Sequence, residues 1–166
     1  GQLVNMSNLV DNWLFFQAIG GFDNSNKNVY YAARNENGNY RGYFIPWDLN
    51  ISFGAVYADN KYYAEETLEE TGTQVQFEPG CRAIALDADH ARALAKEKWE
   101  DWKEKAFTTE ALLERAQHLQ QKLTGSGAMA REMERWPGGN ASTDLSLLTK
   151  FTKQRMAYMD SMIDGL

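Results

Sequence analysis

Two stretches decide how this chain is read: Phe22-Asp23-Asn24-Ser25-Asn26-Lys27-Asn28 and, further on, Ile45-Pro46-Trp47-Asp48-Leu49-Asn50. Between them the pattern is that of a β-hairpin. Asn28 to Arg34 reads as a strand through Val29, Tyr30 and Tyr31, Asn37-Gly38 is a strong hairpin turn, and Tyr40 to Trp47 reads as the returning strand. Pro46 has no backbone N–H to give a ladder, so it marks the strand end. Asp23 therefore falls in a polar loop, Asn28 at the hairpin's entry and Asp48 at its exit. The hairpin can fold the separation of 25 residues between Asp23 and Asp48 back to close range.

Three small oxygen-bearing side chains so arranged can hold Mg²⁺ and orient a hydroxyl. Hard oxygen ligands suit Mg²⁺, which takes one or two carboxylates and keeps several waters. The order of Asp, Asn and second Asp is the one protein kinases use for a catalytic-loop Asp, a metal-side Asn and a metal-binding Asp. An Asp-x₄-Asn pair alone is weak, because Asx-rich turns are common; the hairpin and the Asp at its exit strengthen it.

Outward from this core, Val4 to Ile19 reads as a helix. Val10, Trp13, Leu14 and Gln17 recur at helical spacing, with Leu9, Phe16 and Ile19 widening the face. Asn5 or Ser7 can cap its start and Gly20-Gly21 ends it. Gly54 to Gly80, with Glu65-Glu66 and Glu69-Glu70, reads as a long irregular loop, either functional or simply a solvated acidic segment. From Asp87 the chain reads as helices: one to Lys105 with Ala91, Leu94, Ala95, Trp99 and Trp102 on one face, one from Thr108 to about Leu123, one from Ala128 to Trp136 after Gly125-Ser126-Gly127, and a last one opened by Thr143 or Asp144. The apolar stripes, including Leu112, Leu113, Ala116, Leu119 and Leu123, read as core. The expected fold is α+β and mainly helical, with one β-hairpin carrying the metal-site residues packed on a helical bundle.

Composition narrows the class. With 43% hydrophobic and 13% aromatic residues, the chain has the makings of a packed core rather than disorder. At 166 residues it reads as a single domain, 1–166, or a large piece of one. A net charge of −6 argues against nucleic acid or an anionic membrane as the main partner. No apolar run is long enough for a membrane helix. The lone Cys81 reads as a packing or partly exposed thiol, His90 and His118 as surface or capping residues, and Asn140-Ala141-Ser142 as a chance glycosylation sequon. Gly1 stands directly against domain-like sequence, which suggests a boundary left by cleavage.

The motifs are more specific than their spacing. Asn28-Val29-Tyr30-Tyr31, then Phe44-Ile45-Pro46-Trp47-Asp48-Leu49-Asn50-Ile51-Ser52-Phe53-Gly54, resembles the CotH kinase family of spore-coat and secreted atypical protein kinases, with its N-x-Y, F-I-P-W-D-L-D and S-F-G runs. Phe107-Thr108-Thr109-Glu110-Ala111-Leu112 and the closing Lys150–Met159 segment, with Phe151, Arg155 and Tyr158, are similar to later parts of that family. The resemblance implies Asp23 as catalytic base, Asn28 and Asp48 as metal ligands, and Trp47 packed near the nucleotide. Arg155 and Trp136 would anchor the helical lobe. It implies Mg²⁺ or Mn²⁺, ATP as co-substrate, a partner protein phosphorylated on Ser or Thr, and an extracytoplasmic or cell-surface location. The chain departs from the family at Asn50, where a second acid is usual; Asn50 can ligate as an amide or act as a turn residue. No Gly-rich loop precedes Asp23 and no strand Lys with a helix Glu is found. The chain is therefore expected to be a C-terminal lobe whose N-lobe is missing, inactive alone. The alternative is a non-catalytic scaffold or binding module offering an aromatic protein or glycan surface.

Overall fold

A computed structural model describes residues 3–25, 27–58, 61–64, 74–139 and 142–166. The acidic run at 65–70 and the sequon's Asn140 lie outside the described residues. Among those described the chain is mainly helical, as expected, and much of it packs around the first helix, α1 (Met6–Ile19). Asn5 caps α1, its side chain accepting from the Asn8 N–H at 2.9 Å. Val4, expected inside the helix, instead bridges Gly42 in parallel. Leu9, Val10, Trp13, Leu14, Phe16, Ala18 and Ile19 are all buried, so α1 is apolar nearly all round, the mark of a central helix.

Strands β1 (Val29–Glu36) and β2 (Asn39–Pro46) form the anticipated antiparallel hairpin, with Val29 opposite Pro46 and Tyr31 opposite Phe44. Asn37 and Gly38 both take positive φ, 53° and 89°, as the tight turn between right-twisted strands requires. Period 2 then sends Phe44 into the core against Phe77, ring centroids 5.4 Å apart. Tyr30, Ile45 and Trp47 stay exposed.

The hairpin is docked to α1 by amides rather than by apolar contact alone. Asn8 accepts from the Phe44 N–H at 2.7 Å and donates to its carbonyl at 3.2 Å, and Asn12 donates to the same carbonyl at 3.0 Å. Buried Gln17 does the same for Val75, accepting from its N–H at 2.8 Å and donating to its carbonyl at 2.7 Å. Each amide stands in for a neighbouring strand and satisfies buried backbone groups that would otherwise be costly.

Two findings differ from the irregular loop expected over 54–80. A second short hairpin, β3 (Ala55–Ala58) with β4 (Lys61–Ala64), lies there, and α2 (Glu78–Ala85) starts before its end. Pro79 sits in the first turn of α2, where a missing N–H costs nothing. A turn with Asp87, Asp89 and His90 at positive φ leads into α3 (Ala91–Lys105), whose Ala91, Ala95 and Trp99 are buried as expected. Thr108 caps α4 (Thr109–Gly125), accepting from the Ala111 N–H at 3.0 Å.

The stripe along α4 departs from the core expected of it. No residue of α4 or of α5 (Ala128–Arg135) is buried, and Leu119, Leu123 and Met133 are exposed. Spacing says which face of a helix is apolar; it does not say how far the neighbouring elements reach. A 17-residue helix is about 25 Å long, and α4 runs past the edge of the core. Trp136, expected to anchor the lobe, is likewise exposed, with the Arg135 guanidinium 5.5 Å from its ring. The last helix, α6 (Ser146–Asp164), buries Phe151, Thr152, Arg155, Met156, Met159 and Ile163.

Candidate functional site at the hairpin mouth

The loop carrying Asp23 is set by the end of α1. Gly20 takes the left-handed region (φ 61°), the Gly20 N–H donates to the Gln17 carbonyl and the Gly21 N–H to that of Phe16. This is the Schellman pair of bonds, which turns the chain sharply out of the helix. A single 3₁₀ turn, Phe22–Asn24, follows and presents Asp23 half-buried.

α6 braces that turn from beneath. The Phe151 ring lies in a notch made by two glycines: a Cβ on Gly20 would stand 2.6 Å from Phe151 Cζ, and one on Gly54 (φ 82°) 3.2 Å from Phe151 Cδ2. Gly54, the glycine of the S-F-G run, thus serves both a backbone conformation and a close approach. Phe53 before it also has positive φ, 51°, an uncommon conformation for a bulky residue, and its N–H donates to the Ile19 carbonyl at 2.7 Å. Arg155 is fully buried. Its Nε donates to the Gln17 carbonyl at the C-terminal end of α1, where a cation is favoured. Its guanidinium lies 4.6 Å from the Tyr158 ring centroid and 5.7 Å from that of Phe22. Burial holds the Arg155 pKa down at about 10 and pushes that of Tyr158 up. Of the two expected anchors, Arg155 is one and Trp136 is not.

Asp23 and Asn28 meet directly. Asn28 Nδ2 donates to Asp23 Oδ2 at 2.6 Å, and Lys27 Nζ lies 2.9 Å from Asp23 Oδ1. The Lys27 side chain is 69% exposed, so this ion pair is weak and does not lock the carboxylate. The Trp47 N–H donates to the Asn28 carbonyl at 2.9 Å and closes the hairpin mouth, so Asp48 is one residue beyond the partner of Asn28. Asn28 and Asp48 both adopt left-handed backbone, φ 58° and 51°, which Asn and Asp tolerate better than other non-glycine residues.

Asp48 is exposed and makes no hydrogen bond or ion pair with another described residue. Trp47 is exposed too, its indole edge-on to Tyr30 at 5.3 Å, and Asn50 is exposed. Asp48 is not bonded to Asp23 or Asn28, and among the described residues no three His, Cys, Asp or Glu side chains gather as a metal-holding group. The oxygen donors nevertheless fit a hard cation. Because Asn28 gives its side-chain N–H to Asp23, its side-chain Oδ1 is the oxygen that would face a cation, beside an Asp48 carboxylate that no other described residue bonds.

Asn24 went unnoticed in the sequence. It is fully buried, and its amide donates to the carbonyls of both Asn28 and Trp47, each at 2.9 Å. Within an Asn-rich loop its letter carries no signal of burial; only the hairpin's closure shows that Asn24 turns inward.

A family model described as CotH kinase protein matches residues 1–159 of the chain. Searches of the curated proteins and of the solved structures found no match. No helix among the described residues is long and apolar enough to cross a membrane.

Proposed function

The chain belongs to the CotH kinase family, and on that premise we propose that it carries the catalytic-loop and metal half of a protein kinase that transfers the γ-phosphoryl group of ATP to a Ser or Thr hydroxyl of a partner protein. The observation that carries this reading is the Asp23–Asn28 hydrogen bond at a mouth closed by Trp47, with Asp48 next in the chain. Asn28, through its side-chain Oδ1, and Asp48 would hold Mg²⁺ or Mn²⁺, which would neutralise charge on the phosphate oxygens. Asp23 accepts the proton of the attacking hydroxyl as its oxygen bonds to the γ-phosphorus and the bond to ADP breaks. Asn28, held against Asp23, keeps that carboxylate oxygen oriented. Trp47, exposed beside Asp48, offers an aromatic face for the nucleobase.

In this reading the chain is a C-terminal lobe, and the phosphate-gripping lysine belongs to a lobe outside it. The 166 residues alone are then expected to turn over little or no ATP, and robust turnover by them would contradict the assignment. A Mg²⁺–ATP titration of the full-length protein against its Asp48→Ala variant tests the metal site: binding lost in the variant supports it, and equal binding by both sinks it. A second reading, a non-catalytic binding module in the same protein, is favoured by the exposed aromatic residues of the hairpin, Tyr30, Tyr31, Tyr40 and Trp47. It predicts that the wild-type protein binds no metal–nucleotide. Secretion or display at a cell surface fits the family resemblance.

A further inference from the structure

We infer that Asn24 is a positioning residue of this site, acting through the backbone of Asn28 and Trp47 rather than by touching substrate or metal. The inference rests on the phosphotransfer reading given above and adds to it a residue with no role in that reading.

Two chain segments meet at the hairpin mouth, and each offers a carbonyl there, that of Asn28 and that of Trp47. The ladder supplies one N–H, from Trp47 to the Asn28 carbonyl at 2.9 Å. The Asn24 amide supplies a second donor to Asn28 and one to Trp47, both at 2.9 Å. A planar NH₂ group has two hydrogens in a fixed fork, and here both are used on carbonyls from opposite strands. Ser has one donor and Asp, when ionised, has none.

The position also has the right leverage. Asn28 carries one proposed metal ligand, and the Trp47 carbonyl is part of the peptide unit that leads into Asp48, the other. Both proposed ligand residues sit in left-handed backbone, which Asn and Asp tolerate and which the bonds at the mouth hold in place. Asn24 is itself rigid. It is 0% exposed, its N–H donates to the Gly21 carbonyl at 3.0 Å, and it follows Asp23 directly, so one short turn carries the base and the clamp. Fixing Asn24 to the mouth therefore fixes Asp23 relative to Asn28 and Asp48. Outer partners of this kind orient ligands without binding the ion.

The test uses the full-length protein with Mn²⁺ as probe. It compares wild type, Asn24→Ser and Trp99→Phe, the last a buried change in α3 away from the mouth. Two quantities are read well below the melting temperature: Mn²⁺ affinity by paramagnetic resonance, and hydrogen exchange at the Trp47 amide. Asn24→Ser should weaken Mn²⁺ binding about tenfold and speed Trp47 exchange, while Trp99→Phe lowers the melting temperature and leaves both unchanged. If Asn24→Ser does not fold, Asn24→Gln, which keeps the amide on a longer stem, is read in its place with the same expectation. Wild-type affinity together with wild-type Trp47 exchange in the Asn24 variant overturns the inference and leaves the phosphotransfer reading standing. Failure of the wild type to bind Mn²⁺ defeats that reading instead, and the inference with it.

Discussion

Gly20→Ala tests the glycine notch that holds Phe151, and its cost has two separable parts. The backbone part comes from φ 61°, which costs a non-glycine residue about 1 kcal/mol. The packing part comes from a Cβ placed 2.6 Å from Phe151 Cζ, well inside contact distance, with the ring fully buried and little room to retreat. Overpacking of this sort costs about 1–3 kcal/mol. The single variant should thus lose about 2–4 kcal/mol of unfolding free energy by urea denaturation, a large share of a domain's usual stability. Phe151→Leu alone should lose about 1–2 kcal/mol through the space it vacates. In the double variant the shortened side chain no longer meets the new methyl, so only the backbone part of the Gly20 cost remains. The double-mutant cycle should therefore show a favourable coupling of about 1–3 kcal/mol. Additivity within about 0.5 kcal/mol would refute the claim that Gly20 is needed for the ring, leaving only its φ angle as a reason for glycine.

Gln17→Leu removes the partner of both backbone groups of buried Val75; at about 1–3 kcal/mol for each orphaned group, it should be among the most damaging polar-to-apolar changes, with Val75 amide exchange sharply faster. The Cys81 thiol, which lies 3.4 Å from the same Val75 carbonyl, can recover only part of this. Arg155→Lys keeps the charge but loses the planar fork between Phe22 and Tyr158, and should cost about 2 kcal/mol or more; a melting temperature within a degree or two of wild type would contradict the buried anchor. Burial raises the Cys81 pKa, with the nearby Trp13 indole pulling the other way. The native state therefore holds this proton more tightly than the unfolded chain, and the resulting stability is present below the ordinary thiol pKa of about 8.5 and is lost as pH rises beyond it. Iodoacetamide at pH 8 should alkylate Cys81 more slowly in the native protein than in urea; equal rates would show the thiol to be open.

The hairpin and α1 were legible because each has a clear period and clear punctuation: Asn37-Gly38 for the turn, Asn5 and Gly20-Gly21 for the helix ends. The mouth residues could be placed at the two ends of the hairpin for the same reason. What escaped was carried by residues whose letters suggest the surface. Asn8 and Asn24 are amides facing inward, and Gln17, placed on the apolar face by its spacing, pairs there with Val75; their main-chain partners lie far off in sequence, and hydropathy scores them as polar wherever they point. β3, β4 and α2 are short and lie in or beside a polar, tyrosine-rich stretch, where local propensity is weak against tertiary context. The outer stripe of α4 was read correctly as apolar and wrongly as covered, because periodicity carries no information about neighbours.

Arg155 meets the Gln17 carbonyl across a sequence separation of 138 residues. That one contact says something about the order in which the molecule can be made. Within these residues α1 and the hairpin leave the ribosome before α6, so the turn bearing Asp23 lacks that brace until α6 has emerged and docked. A chain stopped short of α6 would have the letters of the site without its shape. Long-range closure of this kind slows folding, and here it also ties the geometry of the candidate site to the docking of α6.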